Sequence, residues 1–188
     1  MTRILFQLLN APLLVLIASV LTAIQTSLFA PGVLAPFQPD ILLLFIIWVG
    51  IKRSLTEGGI LTLIFGQIAE IHSSGTRGLL LLTFMALFLG VRLCSKLLSL
   101  PKQSSWILLT LFLAMGSKIL LVSLVQLLAL GAAPWKHMMI YLFPTSVSTA
   151  VLAIWAYQWL DRFDFLTYKS EKARQSIEDE LQIEGEGY

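Results

Sequence analysis

The feature that most constrains this chain is its succession of long apolar segments that contain almost no charge. From residue 4 to residue 29 no side chain carries a formal charge, and five further apolar stretches follow. A helix of about 20 mostly apolar residues crosses the roughly 30 Å hydrocarbon core of a membrane. Charged residues make up only 13% of the 188 residues, which is too few to cover a water-soluble domain of this size. The chain is therefore predicted to be an all-α integral membrane protein.

The predicted architecture is a bundle of six transmembrane helices. The predicted spans are residues 4–29, 33 or 36 to 51, 55–71, 78–98, 105–130 and 138–160. The first span could instead be a secretory signal, but its uncharged stretch is longer than the apolar region of about 7–15 residues that such signals contain. A retained helix is the favoured interpretation.

The distribution of basic residues predicts how the bundle is oriented. With the N-terminus inside, ten of the 13 Lys and Arg residues fall on the cytoplasmic side, where such residues concentrate. Only Arg77 and Lys136 fall outside, and Lys118 lies within a span. Six spans also return the C-terminus to the cytoplasm. The net charge of +2 gives no basic surface of the kind that nucleic acid requires.

The chain is predicted to contain one transmembrane domain, residues 1–160, followed by a charged cytoplasmic tail, residues 161–188. The last 13 residues carry five acidic and no basic side chains, which is typical of a solvated, mobile segment. A single cysteine, Cys94, excludes an intramolecular disulfide and a thiolate zinc site.

Three ionisable residues are predicted to lie at similar depth in the outer half of the membrane: Asp40, Glu70 and Lys118. Counted from the basic residues at the inner ends of their helices, they lie roughly 18–24 Å along those helices. An unpaired charge at that depth is costly, so the three either form a cluster or reach interfacial water. Pro36 and Pro39 remove backbone donors before the second span, which indicates an irregular start buried within protein.

Small residues recur on the third and fourth spans and indicate close helix contacts. Gly58 and Gly66 share one face of the third span with Glu70, and the fourth span carries Gly78, Ala86 and Gly90. Such faces serve either packing inside the bundle or docking of another transmembrane helix. The outer turn between the two spans is polar and includes Ser73, Gly75 and Arg77.

No catalytic constellation emerges from the sequence. His72 lies beside Ser73 and Glu70, but a triad is defined by spatial geometry that adjacent positions in a turn rarely provide. Neither a His-Glu-x-x-His zinc motif nor a phosphate-binding G-x-x-x-x-G-K-[ST] loop is present. We expect a protein that is not an enzyme and that needs no cofactor or metal.

The middle of the chain resembles the rod shape-determining protein MreD family. Phe37-Gln-Pro39-Asp40 opens an apolar span, as a Pro-containing motif does in that family. The glycine-rich end of the third span is also similar, with the matching positions Gly66, Glu70, Ser73 and Gly78. Glu70 stands where the family commonly has Asp, and Arg77 replaces an apolar residue. The resemblance covers about residues 37–90.

The resemblance implies a non-catalytic scaffold of the bacterial cell-elongation machinery, located in the inner membrane. Its direct partner would be an MreC-like bitopic protein, with indirect links to MreB filaments, RodA and penicillin-binding protein 2 in peptidoglycan synthesis. The family's six-helix arrangement is also similar to the substrate-binding subunits of energy-coupling vitamin transporters. That likeness supplies an alternative, a small-molecule carrier with Asp40, Glu70 and Lys118 as ligands. For the scaffold, we expect the partner's helix to dock on the small-residue faces, with its stem at the turn around Ser73 to Arg77.

Overall fold

A computed structural model describes residues 2–29, 35–73, 77–97, 103–128 and 135–167. All regular structure in these ranges is helical. A short 3₁₀ turn, Ala35–Phe37, precedes the second of the six α-helices in the described ranges. The helices are α1 (Thr2–Leu28), α2 (Ile41–Lys52), α3 (Leu55–Ile71), α4 (Leu79–Leu97), α5 (Gln103–Leu127) and α6 (Trp135–Thr167).

Four segments of the described residues are long and apolar enough to cross a membrane: Leu9–Leu28, Ala35–Lys52, Trp106–Leu127 and Ile140–Thr167. The apolar segments of α3 and α4 are shorter. Helix α3 has 17 residues, and the apolar part of α4 runs from Leu79 to Ser95. The prediction of an all-helical fold is confirmed, and the four apolar segments support the prediction of a membrane protein. The count of six spans and the cytoplasmic position of both termini stay predictions.

The centre of the molecule is α2. Every residue from 42 to 50 is buried, including Trp48, whose side chain is fully enclosed. A helix that is apolar on all sides must be surrounded, and α2 contacts all five other α-helices. Its 12 residues rise only about 18 Å, which is less than the hydrocarbon thickness. The irregular segment that precedes α2, residues 35–40, is only half-buried, and Phe37 is exposed.

The longest helix, α6, continues past the predicted domain boundary. Residues 161–167 belong to the helix, and Leu160 and Asp164 are buried against the bundle. The helical domain thus extends to Thr167, because the residues after Leu160 still place one face on α1 and α2. The remainder of the predicted tail, residues 168–188, lies outside the described residues.

Candidate functional site

The start of α2 is held by side chains from two other helices. Asp40 caps the helix, with its Oδ1 accepting from the backbone N–H of Leu43 at 3.2 Å. The backbone N–H of Asp40 donates to Thr149 Oγ1 of α6 at 2.9 Å, and that of Ile41 donates to Gln25 Oε1 of α1 at 3.2 Å. These bonds satisfy donors that a helix cannot satisfy itself.

The irregular backbone before Asp40 is also satisfied by protein. Thr145 Oγ1 of α6 donates to the carbonyl oxygen of Pro36 at 3.0 Å, and the N–H of Gln38 donates to the carbonyl oxygen of Ala35 at 3.3 Å. Non-helical backbone is tolerated at membrane depth only where protein or a wet cavity surrounds it. The irregular start expected from Pro36 and Pro39 is present and packs against α6, but it is only half-buried, and Phe37 is exposed.

Of the three ionisable residues predicted to cluster, the structure brings two together. Lys118 Nζ lies 3.4 Å from Asp40 Oδ2, with 31% of the lysine side chain and 19% of the aspartate side chain exposed. Glu70 has another partner: its Oε1 accepts from the backbone N–H of Leu81 at 3.2 Å, in the first turn of α4. Glu70 was expected at the same depth as Asp40 and Lys118, but its side chain points toward α4 and not toward Lys118 on α5.

A cavity of about 470 Å³ with a mixed polar and apolar lining opens beside the Asp40–Lys118 pair. Gln25, Gln38 and His72 contribute further polar groups to its wall. Glu70 does not line it. The ligand set that the carrier alternative requires is therefore present only in part.

The small-residue faces divide into an internal pair and an open set. A Cβ on Gly66 would lie 3.1 Å from the Cα of Leu81, and one on Gly58 would lie 2.8 Å from the ring of Phe88. Both glycines are buried and let α3 approach α4, so a partner helix has no access to them. A Cβ on Gly90 would meet nothing within 4 Å.

The rest of the predicted contact set lies toward the outside. Gly78 begins the turn into α4 with a φ of +88°, a conformation that favours glycine. Ala86, Ser73 and Arg77 are exposed, and Gly75 lies outside the described residues. Among the described residues, the accessible members of the predicted contact set are therefore these outer positions and Gly90.

A groove that the sequence analysis did not predict runs between α1 and α3. Its volume is about 950 Å³, and its lining extends from Ala11 and Glu57 at one end to Val20 and Ile71 at the other. The walls are almost entirely apolar. The sequence signal for this groove is Gln67, which has an amide side chain within an apolar span. In the structure Gln67 lines the groove together with Ser19.

A polar network closes the opposite end of α2. Arg53, only 4% exposed, lies 2.5 Å from Asp164 Oδ1 and donates to Asn10 Oδ1 at 2.7 Å. Glu57 adds a second carboxylate at 3.3 Å. Arg53 therefore joins α1, α3 and α6. From the sequence alone, this arginine contributes only to the predicted orientation of the bundle.

Beside Arg53, a second set of polar contacts links the same turn to α5 and α6. Lys52 Nζ lies 3.3 Å from Asp161 Oδ1, which also accepts from the indole N–H of Trp48 at 2.9 Å. The ammonium lies 5.1 Å from the ring centre of Trp106. The sequence places Asp161 in the predicted tail. In the structure it belongs to α6, and because Asp161 and Asp164 are three positions apart, both lie on one face of that helix.

No family model, no curated protein and no solved structure matches the chain. Among the residues that the structure describes, no three His, Cys, Asp or Glu side chains lie close enough together to hold a metal ion.

Proposed function

We propose that this protein is a non-catalytic membrane scaffold that holds a transmembrane helix of a bitopic partner in the groove between α1 and α3. The observation that carries the proposal is the combination of an open apolar groove with two polar side chains, Ser19 and Gln67, along its walls and the charged Glu57 at one end. The shape and the chemistry of the groove support it separately.

The length of the groove suits a transmembrane helix. Along α3 the lining runs from Glu57 to Ile71, which is about 21 Å, and along α1 it runs from Ala11 to Val20. On α3 the groove thus covers about two thirds of the roughly 30 Å hydrocarbon thickness, and on α1 it covers about 14 Å. A helix lying in it would contact two helices at once, which a short extramembrane loop could not achieve.

The polar side chains favour a protein occupant over an acyl chain. Gln67 is exposed in the groove and Ser19 is half-buried there, and neither makes a hydrogen bond to another described residue. An amide facing hydrocarbon has no partner there, and polar side chains join transmembrane helices by hydrogen bonds. The proposed occupant is therefore an apolar helix with a hydrogen-bonding side chain at the level of Gln67. Glu57 at the cytoplasmic end favours a basic residue just beyond that helix.

The resemblance to the MreD family suggests which partner this is. We propose an MreC-like protein in the bacterial inner membrane, through which the scaffold is linked to MreB filaments, RodA and penicillin-binding protein 2. The alternative, a small-molecule-binding subunit of a vitamin-type transporter, is favoured by the cavity beside Asp40. Proteins recovered with the tagged chain from native membranes distinguish the two, since a carrier of that type would bring an ATPase pair.

Replacing Gln67 with leucine should weaken recovery of the bitopic partner about three- to eighteenfold, because one interhelical hydrogen bond contributes roughly 0.6–1.7 kcal/mol. The measurement is quantitative co-purification in mild detergent. Gln158→Leu is the matched control, since Gln158 is equally exposed but lies on α6, away from the groove. Unchanged recovery in both Gln67→Leu and a groove-filling Ile64→Trp variant would exclude the groove as the docking site.

The predicted topology can be tested at the two ends of α3. In a Cys94→Ser background, we expect a membrane-impermeant maleimide to label Ser73→Cys in intact cells and Thr56→Cys only after permeabilisation. Both positions are exposed in the structure, so accessibility depends on the side of the membrane alone. Labelling of Thr56→Cys in intact cells would show that the predicted orientation, or the predicted number of spans before this residue, is wrong.

A further inference from the structure

We infer that the cavity beside Asp40 and Lys118 binds a zwitterionic group that carries an ammonium and a phosphate, as the head group of an ethanolamine phospholipid does. The inference rests on the side chains around the cavity and is independent of the partner proposed for the groove.

The ion pair in the cavity wall is loose. The 3.4 Å between Lys118 Nζ and Asp40 Oδ2 is longer than the roughly 2.7–2.9 Å of a close charged hydrogen bond, and both side chains are partly exposed. An ammonium has three donors, and only this one contact engages it within the described ranges. Lys118 therefore retains the capacity to bind an anionic oxygen without leaving its place.

Two amides add donors to the same wall. Gln25 uses its carbonyl oxygen to accept from Ile41, which leaves the NH₂ group without an acceptor among the described residues. The side-chain amide of Gln38 also lines the cavity and makes no hydrogen bond to a described residue. Lys118 and these amides together form a donor set of the kind that a phosphate or carboxylate requires.

Acceptors are provided as well. His72 Nδ1 lies 2.9 Å from the carbonyl oxygen of Ile68 and must donate to it, so the ring nitrogen left to accept a hydrogen bond is Nε2. Asp40 keeps lone pairs beyond those used by Leu43 and Lys118. An ammonium group would be bound by these acceptors.

Charge balance and size select a zwitterion over a simple anion. Asp40 and Lys118 cancel, and a lone anion placed on the lysine would be repelled by the carboxylate beside it. A zwitterionic ligand can place its anionic group on Lys118 and its ammonium on Asp40. The volume of about 470 Å³ lies within the usual range for small-ligand sites.

The depth of the cavity suits a lipid head group. Lys118 lies 16 residues beyond Lys102, or roughly 24 Å along its helix, near the outer boundary of the hydrocarbon. A water-soluble compound with an ammonium and a phosphate offers the same chemistry, so the test includes both sources.

The test measures thermal unfolding of the purified full chain in a neutral detergent. The probes are dioleoyl phosphatidylethanolamine, dioleoyl phosphatidylglycerol and free O-phosphoethanolamine. At a concentration ten times the Kd, we expect the ethanolamine lipid to raise the Tm by about 3–6 °C and the glycerol lipid to leave it unchanged. An equal rise with O-phosphoethanolamine would support a water-soluble ligand of the same chemistry. Equal effects of the two lipids, or no effect of any probe, would overturn the inference.

Two variants identify the residues responsible. Asp40→Asn removes the charge but keeps a side chain that caps α2 well, and Lys118→Met keeps the length of the stem. Each should lose most of the shift that the ethanolamine probe produces. Arg77→Met is the control, since that exposed cation does not line the cavity and its loss should leave the shift intact. A full shift in both cavity variants would show that the lipid acts elsewhere.

Discussion

Replacing Arg53 with methionine should destabilise the folded protein by about 3–5 kcal/mol, because it leaves the buried carboxylate of Asp164 without its cation. Asp164 is 6% exposed and lies 2.5 Å from the guanidinium. For a chain of this length the loss corresponds to a fall of roughly 6–20 °C in Tm, measured by thermal unfolding in detergent.

The control for this prediction is Arg162, which lies on the same turn of α6 as Asp164. Arg162 is exposed, so Arg162→Met should leave the Tm nearly unchanged. A double variant, Arg53→Met with Asp164→Leu, should recover part of the stability, since replacing both members of a buried pair by apolar side chains is often neutral. If Arg53→Met were as stable as Arg162→Met, the polar network at this end of α2 would not stabilise the bundle.

Gly66→Ala should destabilise the protein by about 1–3 kcal/mol, whereas the same change at Gly90 should be neutral or slightly stabilising. A Cβ at position 66 would lie 2.6 Å from Leu81 Cδ1 and 3.1 Å from the Leu81 Cα, so helix α4 itself must move. At Gly90 nothing lies within 4 Å. The measurement is the difference in Tm between the two purified variants. Equal Tm values would mean that α3 and α4 are not packed as closely as the structure shows.

The two ends of α2 explain how a short helix is fixed inside a membrane bundle. At one end its first backbone donors are satisfied from α1 and α6, and at the other Arg53 joins α1, α3 and α6. Neither end depends on lipid for a polar partner. The helix therefore forms the buried centre of the bundle, and α1 and α3 leave a groove open between them.

Helices were predictable because apolar composition and length determine them directly. The irregular start of α2 was predictable too, since Pro36 and Pro39 cannot continue a helix hydrogen-bond pattern. Depth along a helix also follows from residue counts. This is why Asp40 and Lys118 could be expected at the same level.

Direction around a helix was not predictable, because uniformly apolar helices carry no periodic signal for the face that turns inward. Glu70 was therefore grouped with Lys118, although it bonds to the backbone of Leu81. Charge counting placed Arg53 on the cytoplasmic side and Asp161 in the tail without giving either a partner, whereas tertiary contacts pair both. The groove depends on the separation of α1 from α3, which no local pattern encodes.

The most direct measurement of the central claim is photo-crosslinking in native membranes from a photoreactive amino acid placed in the groove. Ile64 lines the groove and is 38% exposed, and Phe112 on α5 is 64% exposed and lies outside it. We expect position 64 to give one discrete adduct with a bitopic membrane protein, and position 112 to give none with that protein. An absence of protein adducts at position 64, or the same adduct in equal yield from both positions, would contradict the account.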